Sequence, residues 1–313
     1  MKKYSIGVDI GGTTVKLGVF TVEGTLLDKW EIETRKQEDG RYILGDITEA
    51  INNKLKDMNI SKEEVTGVGV GVPGPVKDDG TVVKCVNLGW GIFNVENELG
   101  KLLGLKVQAA NDANIAALGE MWQGGGKGHQ DIVMVTLGTG VGGGVIVNGK
   151  ILSGNFGAGG EIGHIKVKDD EVNTCGCGKK GCLEQYCSAT GIVSEAKRHL
   201  EASNKTSSLR VIGVITAKDV FDAARNGDEL ALEIVEEFGQ RLGNALAIIS
   251  CVCDPEAYVI GGGVSRAGDI LLDVVKKYYV QNAFHASRGT EFTLAKLGND
   301  AGIYGGAKLA QEI

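Results

Sequence analysis

Two glycine-rich hairpin patterns, about half a chain apart, constrain the fold of this sequence more than any other feature. The first, YSIGVDIGGTTVKLGVFTVEGTLL, begins at Tyr4, and the second, IVMVTLGTGVGGGVIVNGKIL, covers 132–152. Both alternate apolar residues around a Gly/Thr turn and then reach a second turn. This pattern predicts two β-hairpins, and the internal similarity predicts two related lobes that each open with one. The alternative is that any two glycine-rich hairpins look alike.

The rest of the chain alternates helix and strand patterns. Apolar residues recur every fourth position over 43–58, which predicts a helix, and 65–72 is typical of a buried strand. We expect Asp228 to cap a long helix through Ala247, and the run AYVIGGG from Ala257 to form a strand. Alternating strands and helices predict an α/β fold, and 313 residues suffice for about two domains.

Composition excludes several classes of partner. Apolar residues make up 42% of the chain, so a large core can form, and the net charge of −7 with no long basic run argues against a nucleic-acid-binding surface. Asp9 interrupts the N-terminal apolar run too early for a signal peptide. The longest apolar stretch, 242–253, is too short to span a bilayer. We therefore expect a cytoplasmic protein without a membrane partner.

Two glycine patterns match nucleotide-binding motifs by spacing alone. Gly138, Gly140 and Gly143 satisfy G-x-G-x-x-G, but a strand-like segment follows where a dinucleotide fold requires a helix. The segment 144–150 fits G-x-x-x-x-G-K, but Ile151 stands where Ser or Thr must bind magnesium. We reject both motifs.

Three glycine-rich segments remain as candidates for binding a polyphosphate. Backbone N–H groups in tight turns bind anions without a fixed positive charge, and threonine hydroxyls add donors. Tight turns alone explain each segment equally well, so the prediction of a nucleotide cleft rests on their combination. The candidate nucleotide-binding residues are Asp9, Gly11, Gly12, Thr13 and Lys16 on the first hairpin, Gly138, Thr139 and Gly140 on the second, and Gly261, Gly262 and Gly263 after the later strand.

A cysteine-rich run, CGCGKKGC over 175–182, follows His164. His164, Cys175, Cys177 and Cys182 form a Cys₃His set, which is a common complement for structural zinc. C-x-C spacing is too tight for an unstrained disulfide, and the run has no C-x-x-C redox pair. The spacing therefore predicts a zinc site, with unconnected thiols as the alternative.

The segment NDAN places Asn111, Asp112 and Asn114 directly before a helical run, IAALGEMW. Asn and Asp at the start of a helix accept hydrogen bonds from its unpaired N–H groups, so helix capping is the first interpretation. An acid–base role is the alternative, and the residue pattern leaves both open.

The chain resembles the ROK family of sugar kinases and repressors, and within it the kinases that act on glucose. The resemblance covers essentially the whole chain. It rests on DIGGTTVK, GVPGPV, NDANIAALGE, TLGTGVGGG, GAGGEIGH, CGCGKKGCLE and GGGVS, in that order. It implies the two-lobed, actin-like and ribonuclease-H-like ATPase fold, with a nucleotide and sugar cleft between the lobes. We expect a small lobe at 1–117, joined by 299–313, and a large lobe at 118–298 that carries the zinc.

The resemblance also implies roles for individual residues. Asp112 is expected to be the general base for the sugar hydroxyl, with Asn111 on a neighbouring hydroxyl and Gly74 in the loop that shapes the sugar site. Mg²⁺ should accompany ATP, with Asp9 orienting the ion, and the resemblance suggests a homodimer or homotetramer.

Two glutamates flank the predicted zinc ligands. Glu161 precedes His164 by three residues, and Glu184 follows Cys182 by two. Four protein ligands leave no open position on a zinc ion, so this metal should not activate water. The resemblance implies that Glu161, His164 and Glu184 contact the sugar, whereas solvated surface glutamates are the alternative. Our hypothesis is that zinc preorganises the sugar pocket.

The predicted activity is ATP-dependent phosphorylation of a hexose at the 6-hydroxyl, with glucose favoured. A kinase for mannose, fructose, allose or an N-acetylhexosamine is the close alternative. A sugar-responsive repressor would need a DNA-binding module, which we do not expect because the first strand begins by Tyr4. An actin-like filament protein would leave the cysteine set and NDAN without a role.

Overall fold

The computed structural model describes residues 2–312. In chain order the strands are β1 (Tyr4–Ile10), β2 (Thr14–Thr21), β3 (Leu26–Glu33), β4 (Val65–Val72), β5 (Thr81–Val82), β6 (Phe93–Asn94), β7 (Val107–Asn111), β8 (Ile132–Leu137), β9 (Val141–Val147), β10 (Lys150–Ile151), β11 (Ala257–Gly261) and β12 (Glu291–Leu294). The α-helices are α1 (Gln37–Gly40), α2 (Ile43–Asp57), α3 (Val95–Leu103), α4 (Asp112–Gln123), α5 (Glu184–Cys187), α6 (Ala189–Ala202), α7 (Ala217–Arg225), α8 (Glu229–Cys253), α9 (Asp269–Asn282) and α10 (Ala301–Leu309). The predicted α/β class is confirmed, and both predicted hairpins, β1–β2 and β8–β9, are present.

Residue contacts divide the chain into two compact units. The first comprises Met1–Gln130, Gly144–Gly160 and Lys296–Ile313, and the second comprises Asp131–Gly143 and Glu161–Ala295. The lobes expected from the sequence have other limits, 1–117 with 299–313 and 118–298. They cut α4 in two, whereas the whole of α4 lies in the first unit because it packs along α10.

The first unit is built on a five-stranded sheet with strand order β3-β2-β1-β4-β7. Within the β1–β2 hairpin Asp9 lies opposite Lys16. Strands β1, β4 and β7 are mutually parallel, with Asp9 beside Gly71 and Val72 beside Asn111. Since the carboxyl ends of parallel strands meet at one edge of a sheet, this register brings Asp9 and the start of α4 to the same edge.

The main chain of helix α10 packs directly against the main chain of this sheet. A methyl group at Gly7 or Gly69 would overlap main-chain atoms of Ile303 or Gly306. Such close approach leaves no room for the helix to shift without breaking the packing, because protein interiors are close-packed. The N-terminal turn of α10 is thereby fixed behind Asp9.

The core of the first unit confirms the predicted helix at 43–58. Ile43, Ile47, Ile51 and Leu55 of α2 are fully buried, as their four-residue spacing requires. Burial of each such side chain contributes about 1.5–3 kcal/mol. Trp90 lies in the same core and donates its ring N–H to the carbonyl oxygen of Gly40.

The second sheet has strand order β10-β9-β8-β11-β12, and the boundary between the units falls within β9. In the second unit β11 runs parallel to both β8 and β12. The predicted long helix is α8: the Asp228 side chain accepts a hydrogen bond from the Ala231 N–H, and the helix ends at Cys253. Within residues 2–312, no helix combines the length and apolar character that crossing a membrane requires.

Candidate active site

Asn111 and Asp112 lie where β7 passes into α4. The Asn111 side-chain oxygen accepts hydrogen bonds from the N–H groups of Ala113 and Asn114, at 2.9 and 3.3 Å. Its amide nitrogen donates to the carbonyl oxygen of Gly74 at 3.1 Å. Helix capping by Asn111 is therefore confirmed. Asp112 is the first helical residue, where the helix dipole favours a negative charge.

Gly74 shapes the loop that meets Asn111. Its φ of +122° is a conformation that side-chain-bearing residues rarely adopt, and a methyl group there would lie 2.8 Å from the Lys84 carbonyl oxygen. This fold of the loop brings Cys85 towards the start of α4. Burial raises the pKa of the Cys85 thiol, and the charge of Asp112 raises it further. Cys85 is therefore an uncharged neighbour of Asp112 that the sequence analysis missed.

Asp9 is enclosed between β4 and α10. A methyl group at Gly302 would lie 2.5 Å from Asp9 Oδ2, and one at Gly71 would lie 3.3 Å from Oδ1. Burial and, to a lesser extent, the charge of Asp112 together raise the pKa of Asp9 to about 6, and Lys16 opposes both effects. Two carboxylates that repel each other form a site that a hard divalent cation would stabilise, so Asp9 and Asp112 fit the expected Mg²⁺.

The first glycine turn is held by its own hairpin and by the segment that follows β3. The Gly11 N–H donates to the Thr14 carbonyl, and the Thr34 hydroxyl donates to the Gly11 carbonyl at 2.8 Å. A methyl group at Gly12 would meet nothing within 4 Å. Lys16 donates to the Asn299 carbonyl at 3.0 Å, which ties β2 to the start of α10.

The four predicted metal ligands come together in the second unit. Their ligand atoms in His164, Cys175, Cys177 and Cys182 all lie within 4.8 Å of one another. Cys177 Sγ and Cys182 Sγ are 3.6 Å apart, and Cys175 Sγ is 3.8 Å from His164 Nδ1. Tetrahedral zinc with Zn–S bonds of about 2.3 Å separates its sulfurs by about 3.8 Å, so the cluster fits zinc.

The electrostatics of the cluster also fit a cation. Burial and the neighbouring thiols of Cys177 and Cys175 together raise the pKa of Cys182 to about 12. Three thiols this close cannot all ionise without a compensating charge, which zinc supplies when it binds thiolates. The seven cysteines are free, so the structure pairs none of them in a disulfide among residues 2–312.

Glu161, His164 and Glu184 surround this cluster. Glu161 Oε2 lies 3.8 Å from His164 Nε2, and its side chain is half exposed. Glu184 begins α5; its Oε1 lies 3.8 Å from Cys175 Sγ, and its Oε2 accepts a hydrogen bond from the Val141 N–H at 3.0 Å. The contact with Val141 joins the cluster to the second glycine turn, which the sequence pattern did not indicate.

The second and third glycine segments lie together. A methyl group at Gly262, whose φ is +82°, would overlap the carbonyl of Leu137, the last residue of β8. Gly138 follows directly, and its N–H closes the turn by donating to the Gly140 carbonyl at 3.0 Å. The second and third glycine segments are therefore neighbours within the second unit.

A cavity of about 340 Å³ adjoins Gly263, and it was not predicted from the sequence. Phe221 and Val264 give it apolar walls, and Thr216, Lys218 and Arg266 add polar groups. An apolar cavity with a few polar groups is typical of a small-molecule site. The sequence signal that could have indicated this cavity is the capping residue Thr216. It marks the start of helix α7, and the first turns of that helix carry Lys218 and Phe221.

Comparisons with known proteins identify the family of the chain. The model of the ROK family matches residues 5–313. A glucokinase of Halalkalibacterium halodurans is 45% identical over 99% of this chain and 96% of its own length, and a glucokinase of Thermotoga maritima is 37% identical over 98% and 97%. The crystal structure of a ROK family glucokinase from Streptomyces griseus, in complex with glucose and AMPPNP, covers 99% of this chain and 100% of that chain with a TM-score of 0.72 at 35% identity. The chain belongs to the ROK family.

Proposed function

We propose that this protein transfers the γ-phosphoryl group of ATP to the 6-hydroxyl of glucose. The observation that carries the proposal is the full-length similarity to a ROK glucokinase whose structure holds glucose and an ATP analogue. A carboxylate at a helix start, the glycine-rich turns and a cavity of about 340 Å³ beside Gly263 support the proposal.

Asp112 is the proposed general base. A free aspartate has a pKa of about 3.9, so it cannot remove a proton from an alcohol in the ground state. It accepts the proton as the hydroxyl oxygen bonds to phosphorus, and such help contributes about 10²–10⁴ in rate. Holding the hydroxyl in line with the γ-phosphate contributes the larger share. The hydrogen bond from the Ala113 N–H to Asp112 Oδ1, at 2.8 Å, orients the carboxylate.

The proposed sugar contacts are Asn111, Gly74, Glu161, His164 and Glu184. Asn111 accepts two N–H bonds with its oxygen and donates to Gly74, so its rotamer and the loop at Gly74 are set before the sugar arrives. Zinc on His164, Cys175, Cys177 and Cys182 would hold Glu161 and Glu184 near one place without taking part in the chemistry.

The proposed nucleotide contacts are the three glycine segments and the cavity beside Gly263. Their backbone N–H groups and the Thr13 and Thr139 hydroxyls would bind the phosphates, and the cavity would take the base. Mg²⁺ supplies charge neutralisation between the phosphates when ATP is bound, and Asp9 is the residue that would orient it. A homodimeric or homotetrameric state is proposed on the family resemblance alone. A cytoplasmic location is proposed on the apolar patterns of the sequence, in which Asp9 interrupts the N-terminal apolar run.

The test is turnover of Asp112→Asn against wild type in a coupled assay of ADP release across a panel of hexoses. We expect glucose as the best acceptor, a loss of about 10²–10⁴ in kcat for the variant, and a glucose Kd within about threefold of wild type. Asp78→Asn is the control, because Asp78 is an exposed loop residue. Near wild-type turnover of Asp112→Asn would remove the assignment of the base.

A further inference from the structure

The chain that follows the cysteine cluster holds the second glycine turn at three points. Glu184 Oε2 accepts the Val141 N–H at 3.0 Å. The start of α6 supplies the other two contacts: the Ala189 N–H donates to the Gly138 carbonyl at 2.8 Å, and the Thr190 hydroxyl donates to the Thr139 carbonyl at 3.1 Å. The turn assigned to phosphate binding is thus supported by the segment assigned to sugar binding.

The two glycines of this turn face different surroundings. A methyl group at Gly140 would overlap Glu184 Oε2, whereas one at Gly138 would meet nothing within 4 Å. Neither glycine has a backbone conformation that disfavours alanine. The space occupied by the Glu184 carboxylate therefore depends on the absence of a side chain at Gly140.

We propose that Glu184 couples sugar binding to nucleotide binding, because one carboxylate oxygen receives the sugar while the other fixes the phosphate-binding turn. The inference rests on the proposed function, in which Glu184 contacts the sugar. It adds an energetic link between the two substrates of the reaction.

The physical basis is the shared ordering of one side chain. An ionised carboxylate has two oxygens with about four acceptor positions, and the Val141 N–H uses one of those on Oε2. A sugar hydroxyl that donates to Oε1 immobilises the same carboxylate and so orders the turn. When the second substrate binds, the turn is already ordered, so the protein loses less conformational freedom in that step. The coupling between the two substrates is therefore positive. Thermodynamic linkage requires the same coupling factor in both directions.

Isothermal titration calorimetry on the zinc-loaded protein tests this inference. Glucose is titrated with and without AMPPNP and Mg²⁺, and AMPPNP is titrated with and without glucose. In wild type each ligand should lower the Kd of the other by the same factor, about fivefold or more.

In Gly140→Ala the glucose Kd without nucleotide should rise about tenfold, the effect of losing one charge-assisted hydrogen bond, and the coupling factor should fall to about one. Gly138→Ala is the matched control, and its glucose Kd without nucleotide should stay within about twofold of wild type. Thr190→Val, which removes the bond to Thr139 without adding bulk near Glu184, should lower the coupling factor and leave the glucose Kd unchanged. It decides the question if Gly140→Ala does not fold.

Glu184→Gln separates this inference from the proposed function. If that variant binds glucose as wild type does, the sugar contact and the coupling both fail. If it weakens glucose binding while Gly140→Ala and Thr190→Val keep the wild-type coupling factor, the coupling alone is overturned.

Discussion

We expect the ionised side chain of Asp9 to lower the free energy of unfolding at neutral pH. Burial and the charge of Asp112 raise its pKa from 3.8 to about 6 in the folded state. A difference of about two in pKa between the unfolded and folded states corresponds to about 3 kcal/mol. Asp9→Asn should therefore unfold at a higher temperature than wild type at neutral pH, while losing activity, a trade common at functional sites.

The pH dependence of this effect has a definite sign. Below pH 4 Asp9 is protonated in both states and contributes no difference. Between pH 4 and 6 the folded state binds more protons than the unfolded state, so the stability of wild type falls as pH rises. Above pH 6 the full cost of about 3 kcal/mol is present. The advantage of Asp9→Asn should appear between pH 4 and 6 and stay constant above.

Differential scanning calorimetry from pH 4.5 to 8, without Mg²⁺ or nucleotide, measures the difference between variant and wild type. Asp28→Asn is a control of opposite sign, because the hydrogen bond from Lys54 lowers the pKa of Asp28. That control should not gain stability at neutral pH. A difference between Asp9→Asn and wild type that is flat across this range, or an Asp9→Asn protein less stable than wild type at pH 7.5, would refute the reasoning.

Three further outcomes are expected. Glu120 is fully buried, and its carboxylate accepts hydrogen bonds from three backbone N–H groups, so Glu120→Gln should lower the free energy of unfolding by about 2–4 kcal/mol, measured by urea denaturation. Tyr186→Phe should lower the melting temperature because its hydroxyl bonds a buried glutamate, whereas Tyr278→Phe, whose partner is a half-exposed glutamate, should not. Zinc removal by a chelator should raise the glucose Kd before it changes the AMPPNP Kd. An unchanged glucose Kd in folded, zinc-free protein would contradict the hypothesis that zinc preorganises the sugar pocket.

The sequence predicted those helices whose buried positions or capping residues follow a regular spacing within the helix itself. The four buried residues of α2 and the Asp228 cap of α8 both follow from spacing along one element. Helix α3 had an equally local signal that the sequence analysis overlooked: the Asn94 side chain caps it, and Gly104 ends it in a left-handed conformation. The two-residue strands β5 and β6 had none, because so short a pairing is fixed by the surrounding structure rather than by propensity.

The residues of the candidate site could be predicted more fully than its contacts. The motifs predict functional roles for Asp9, Asn111 and Glu184, and the cysteine spacing predicted a cluster that the structure brings together. The bond from Asn111 to Gly74 spans 37 residues, and the bond from Val141 to Glu184 spans 43. Such pairs depend on how separate elements pack, and no pattern of apolar and polar residues encodes them.

The high glycine content has a second cause besides tight turns. A methyl group at Gly302 would crowd the carboxylate of Asp9, one at Gly140 would crowd Glu184, and one at Gly124 would crowd Glu120. A carboxylate held close to the main chain needs nearby N–H donors to offset its loss of water, and it needs space that a side chain would fill. The 49 glycines of this sequence therefore include positions that selection on turns alone would not require. Substituting them should displace an acidic group before it distorts the backbone.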